Sequence, residues 1–108
     1  MKKPQTNPAG VLVRLVTEAV RYGADELDIE YREGCEDVCA MKDGMGFGIA
    51  RLDSSGEEAC ALRAQLRAIG KKGATVSAGG ASFRLRVDKY ESFGETAYRV
   101  RIERRPNP

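Results

Sequence analysis

The run LVTEAVRYGADELDIEY, from Leu15 to Tyr31, changes its hydrophobic period partway along. Leu12, Leu15, Val16, Ala19 and Val20 recur at the three- and four-residue spacing of one helix face. From Leu27 the period becomes two. Leu27, Ile29 and Tyr31 alternate with Asp28, Glu30 and Arg32, as in a strand with one buried face. Gly23 stands between the two regimes and can take the left-handed conformation that closes a helix. Ahead of the stripe, Asn7 and Pro8 suit an N-cap and a first helical position. A chain with this junction lays a helix beside a strand, which excludes all-helical and all-strand folds.

The same two periods organise the rest of the chain. REGCED reads as a turn, and short strands are expected over residues 38–42 and 47–52 around the hairpin signal Asp43-Gly44. Ser54 and Ser55 each precede a glutamate by three residues (Glu57, Glu58), the pattern of a capping box. Ala59, Leu62, Leu66 and Ile69 supply the apolar stripe of a second helix, which Gly70 ends. Lys71 and Lys72 sit where cations favour a helix C-terminus. Three more strands are expected, over 75–78, 82–89 and 96–104, with Gly79-Gly80 and residues 92–94 as turns. The order αβββαβββ predicts an α+β fold, a mainly antiparallel curved sheet with both helices on one face. One domain over 1–108 is expected, ordered over about 8–104, with flexible ends at 1–7 and 105–108.

At 108 residues the chain has room for one core and none for a nucleotide-hydrolysing domain beside it. A net charge of +2 is too small to indicate nucleic-acid binding. Histidine is absent, which removes the usual general base and the commonest metal ligand. No apolar run approaches the roughly 20 residues of a membrane span, and MKKPQTNP lacks the apolar segment of a signal peptide. A cytoplasmic location is expected. Cys35, Cys39 and Cys60 are odd in number and lack further ligands at a recognised spacing, so neither a disulfide framework nor a metal site is expected. They read as buried thiols acting as small hydrophobes, with Cys35 and Cys39 on one face of a strand.

The most unusual constellation is basic. If the last two strands pair, Arg84, Arg86, Arg99 and Arg101 share the face opposite Phe83, Leu85, Val87, Tyr98, Val100 and Ile102. Guanidinium forks suit phosphate and carboxylate oxygens, so the face is a candidate for anions or an acidic partner. The same pattern also describes a solvated face, partly neutralised by Asp88, Glu91, Glu95 and Glu103. A second candidate is KDGMGFG, whose Asp43, Gly44, Gly46 and Gly48 would let backbone amides approach a phosphate. It is neither a P-loop nor a dinucleotide fingerprint, and it also reads as a plain glycine-rich turn. Asp25, Glu26, Asp28 and Glu30 cluster, but no nucleophile and base pair up, so no enzyme, cofactor or metal is expected.

Three blocks, in order, resemble the N-terminal domain of the traffic ATPases of type II secretion and type IV pili. They are TEAVRYGADELDIE, then KDG, then GGASFRLRV followed by GE and RVRI. The resemblance implies a PAS-like domain that packs on an ATPase core or assembly protein and lends arginines to a nucleotide phosphate. By position, Arg86 matches the arginine of the family's x-RV strand and Arg101 that of its closing strand. Met41 stands where the family carries the arginine of R-x-DG, and Asp28 where it carries a histidine. Walker and histidine-box segments are absent, so isolated hydrolysis is not expected. Separately, KDGMGFG resembles the D-x-G-x-G box of the GHKL nucleotide-binding fold, although Glu or Arg replaces its metal-binding Asn. That leaves a small nucleotide-binding protein as the alternative to an interaction module.

Overall fold

A computed structural model describes residues 10–106. Helix α1 (Val11–Arg21) is followed by β1 (Glu26–Arg32), β2 (Cys35–Lys42) and β3 (Met45–Asp53). Helix α2 (Glu57–Ile69) then leads to β4 (Ala74–Ala78), β5 (Ala81–Ser92) and β6 (Glu95–Arg104). The fold is α+β, in the order expected. The six strands form one antiparallel sheet, β3-β2-β1-β6-β5-β4, with both helices on a single face.

The helix stripes meet the inward side of the strands. Val11, Leu12, Leu15, Val16 and Ala19 of α1 and Ala59, Leu62 and Leu66 of α2 are buried over Leu27, Ile29, Val38, Ala40, Leu85 and Val100. Each large aliphatic side chain taken from water contributes about 1.5–3 kcal/mol, so this layer holds the fold. The junction after α1 closes as a Schellman motif. Gly23 takes φ +79°, its N–H donates to the Val20 carbonyl, and the Ala24 N–H donates to that of Ala19. All four hairpins turn through two residues at positive φ: Glu33-Gly34, Asp43-Gly44, Gly79-Gly80 and Phe93-Gly94. That is the twist-matched turn of an antiparallel pair.

Several local expectations change, and one falls outside the described residues. Asn7 and Pro8 lie outside the described residues, and the described N-cap of α1 is Gly10. REGCED is mostly strand, because a two-residue turn at Glu33-Gly34 is enough and β2 begins at Cys35. The strand expected over 47–52 begins at Met45, and the strand expected over 82–89 runs on to Ser92, for the same reason. No capping box forms at α2. Its N-cap is Gly56, while Ser54 donates to Glu36 and Ser55 to Asp53. Glu57 and Glu58 still lie in the first turn, where a carboxylate favours the helix dipole. Of the expected flexible end, Arg105 donates its N–H to the Ser82 carbonyl at 2.9 Å.

Candidate functional site

With both helices on one side, the other face of the sheet is open. β5 and β6 lie side by side in a register that sets Arg86 opposite Arg101, Arg84 opposite Glu103 and Asp88 opposite Arg99. Arg84, Arg86, Arg99 and Arg101 therefore share the open face, as strand parity requires. Their surroundings divide them. Arg99 is held by carboxylates of β1, its Nε lying 3.2 Å from Glu26 and 3.4 Å from Asp28, and its guanidinium stacks over Tyr90. Arg84 donates to the Lys72 carbonyl at 2.7 Å.

Arg86 and Arg101 differ from both: among the described residues neither has a hydrogen bond or ion pair. Both are exposed, and with Lys71 and Asp88 they line a hollow of about 220 Å³. Like charges directly across a strand pair oppose each other. Here three cations converge on one carboxylate, which is an arrangement that an incoming anion relieves.

The β1–β2 side of the same face is acidic. Asp28, Glu30 and Asp37 surround a second hollow of about 210 Å³ that also borders Cys39 and Gly46. Partial burial and the neighbouring Asp28 carboxylate push Glu26 above the ordinary carboxylate range, outweighing Arg99 and the more weakly felt Arg101. Burial, the Asp28 and Glu30 charges and a 3.2 Å hydrogen bond to Glu30 likewise raise the Tyr90 hydroxyl.

The cysteines correct an expectation. Cys35 and Cys39 do share one face of β2, but it is the open face and they are only half-buried. Cys60 is exposed on α2. Burial, followed by Asp37, Asp28 and Glu30, raises the Cys39 thiol above its ordinary pKa. At pH 8 a smaller thiolate fraction makes Cys39 slow to react. Timed alkylation read by peptide mass spectrometry is expected to modify Cys60 first and Cys39 at least several-fold later. Equal rates would contradict that environment.

The second sequence candidate disperses along the β2–β3 hairpin. Asp43 and Gly44 form its turn, while Gly46 and Gly48 are strand residues facing Met41 and Cys39. Phe47, between them, sets its ring edge-on to Tyr22 at 5.2 Å, tying the hairpin to the end of α1.

Sequence reasoning missed one polar cluster, on the helix side. Glu36 is only 5% exposed; its Oε2 accepts from Ser54 Oγ at 2.9 Å and Arg63 Nη1 at 3.0 Å. Arg63 Nη2 donates to the Ser54 carbonyl at 2.9 Å, so one guanidinium joins α2 to β2 and to the chain leaving β3. An acidic residue at an inward-facing strand position was the available signal: Glu36 lies two residues before Val38, on the buried side.

Among the described residues no group of Cys, Asp and Glu is placed to hold a metal ion, and no helix is long and apolar enough to cross a membrane. Neither a protein-family model nor a curated protein matches this chain.

Proposed function

We propose that this chain is a non-catalytic interaction module, related to the N-terminal domain of secretion and pilus traffic ATPases. It docks an ATPase core or another acidic partner through the open sheet face. The observation that carries this reading is the pair Arg86 and Arg101, opposed across β5 and β6, unpaired among the described residues and joined by Lys71. Exposed guanidinium groups with no hydrogen bond or ion pair among the described residues are available to give a carboxylate- or phosphate-bearing surface bidentate contacts. Arg99 and Arg84, held by Glu26, Asp28 and the Lys72 carbonyl, shape the surface and contribute less binding.

The test follows backbone amide shifts while deca-glutamate, and separately ATP–Mg²⁺, is titrated at low salt. Deca-glutamate is expected to move Lys71, Arg86 and Arg101, and Arg86→Ala with Arg101→Ala to weaken binding about tenfold, since exposed charged contacts are worth only about 0.7 kcal/mol each. ATP–Mg²⁺ shifts at Gly44–Gly48 would favour the nucleotide-loop alternative instead. A peptide that moves nothing at millimolar concentration would remove the docking reading.

A further inference from the structure

The open face is divided by charge along its middle. The seam between β1 and β6 leaves three strands on each side. On the β1–β3 side the outward positions Glu26, Asp28, Glu30, Asp37 and Asp53 outnumber Arg32 and Arg51. On the β4–β6 side Arg84, Arg86, Arg99 and Arg101 outnumber Asp88, Glu95 and Glu103, and Lys71 adds to them. The acidic half has the 210 Å³ hollow, the basic half the unpaired Arg86–Arg101 pair.

We propose that two copies of this chain pair through this face, β5 and β6 of each lying over β2 and β1 of the other. The two-fold axis runs parallel to the strands, above the β1–β6 seam. A half-turn about that line reverses the strand order of the second sheet, so each basic half meets an acidic half twice over. The half-turn keeps each residue at its height along the strands, so Arg101 of one copy lies over Glu26 of its partner, Arg99 over Asp28, and Arg86 over Met41 at the rim of the hollow.

Two further features favour a second copy as the occupant. Sheet faces stack about 10 Å apart, a gap that two arginine or glutamate side chains span. Six strands at about 4.8 Å spacing and roughly 20 Å length present roughly 600 Å² per copy, so the two copies together exceed the roughly 1,000 Å² total of a specific interface. The existing ion pairs of the acidic half do not block exchange. Arg32 with Glu30 and Asp37, and Arg51 with Asp37, stand at 3.5–3.6 Å between partly exposed groups, pairs of small individual worth. Desolvating so many charges keeps the dimer weak and salt-sensitive. The dimer uses the face assigned above to an acidic partner and competes with it, but does not require that such a partner exist.

The test is sedimentation of the full chain at about 0.05 M and about 0.5 M salt, on either side of strong screening. The 11.8 kDa chain is expected to double in mass at low salt and return to monomer at high salt. Arg86→Glu with Arg101→Glu is expected to stay monomeric, as is Glu26→Lys with Asp28→Lys. An equimolar mixture of the two variants is expected to form a heterodimer, because both contacts then become attractive. A wild-type monomer at low salt overturns the proposal, as does a dimer that both variants retain or a mixture that stays monomeric. Should a variant fail to fold by circular dichroism, wild-type amide shifts on dilution decide: shifts on the open face support the dimer, shifts on the helices or the outer edge of β3 overturn it. Deca-glutamate binding to the monomeric lysine variant reports separately on the docking reading.

Discussion

Replacing Arg63 with alanine is expected to remove about 3 kcal/mol of folding stability, the low end of what breaking a buried ion pair costs. Glu36 is almost wholly enclosed, and its charge is held there by two donors, Ser54 and Arg63. Without the guanidinium the carboxylate keeps one hydroxyl and the full desolvation penalty. Glu36→Gln is expected to cost less, because a neutral amide is cheaper to bury. Replacing both partners, Glu36→Met with Arg63→Met, is expected to cost less than Arg63→Ala alone. Urea denaturation of the three variants and the parent measures the differences. If Arg63→Ala changes stability by less than about 1 kcal/mol, the pair behaves as a surface contact and the buried-pair reading of this cluster is wrong.

Gly73→Ala is expected to be the most damaging of the glycine substitutions, at about 2–3 kcal/mol. Gly73 has φ +83°, and a β-carbon there would lie 2.7 Å from the Leu85 carbonyl oxygen. That oxygen belongs to the backbone of β5 and cannot swing aside. The closeness has a cause. The segment after α2 runs tight along β5, with the Gly70 carbonyl accepting from the Val87 N–H at 3.0 Å. Gly80 has the same φ of +83° with open space around it, so Gly80→Ala isolates the conformational strain alone, about 1 kcal/mol. Thermal melts of the two variants compare the effects. Equal destabilisation would mean that the clash relaxes and only the left-handed backbone matters.

Much of the fold is legible in the residues because its signals are local. Leu12, Leu15, Val16 and Ala19 mark the buried face of α1, and every one of them is in the core. Asp43-Gly44 and Gly79-Gly80 mark turns, and both have two residues at positive φ. Strand parity likewise puts the four arginines on one face, since alternation needs no knowledge of neighbours. What failed locally had competing uses. Ser54 would cap a helix if Glu36 were not within reach, and Glu36 comes within reach only when β2, β3 and α2 assemble.

The strand that β6 pairs with on its far side was not legible. Within β1–β3 and within β4–β6 successive strands join through short turns, but β1 and β6 meet across more than sixty residues, with Asp28 opposite Arg99. That pairing decides which arginines are spent on carboxylates and which remain free, so it also decides where the site lies.

Residue order alone dictates the αβββαβββ succession, the turns and the two faces of each strand, because period and turn chemistry act between near neighbours. The β1–β6 seam, the Glu36–Arg63 link and the separation of Arg86 and Arg101 from Arg84 and Arg99 arise only when the chain assembles. They come from burying two helix stripes on one side of a single sheet, a long-range condition that no short window of residues contains.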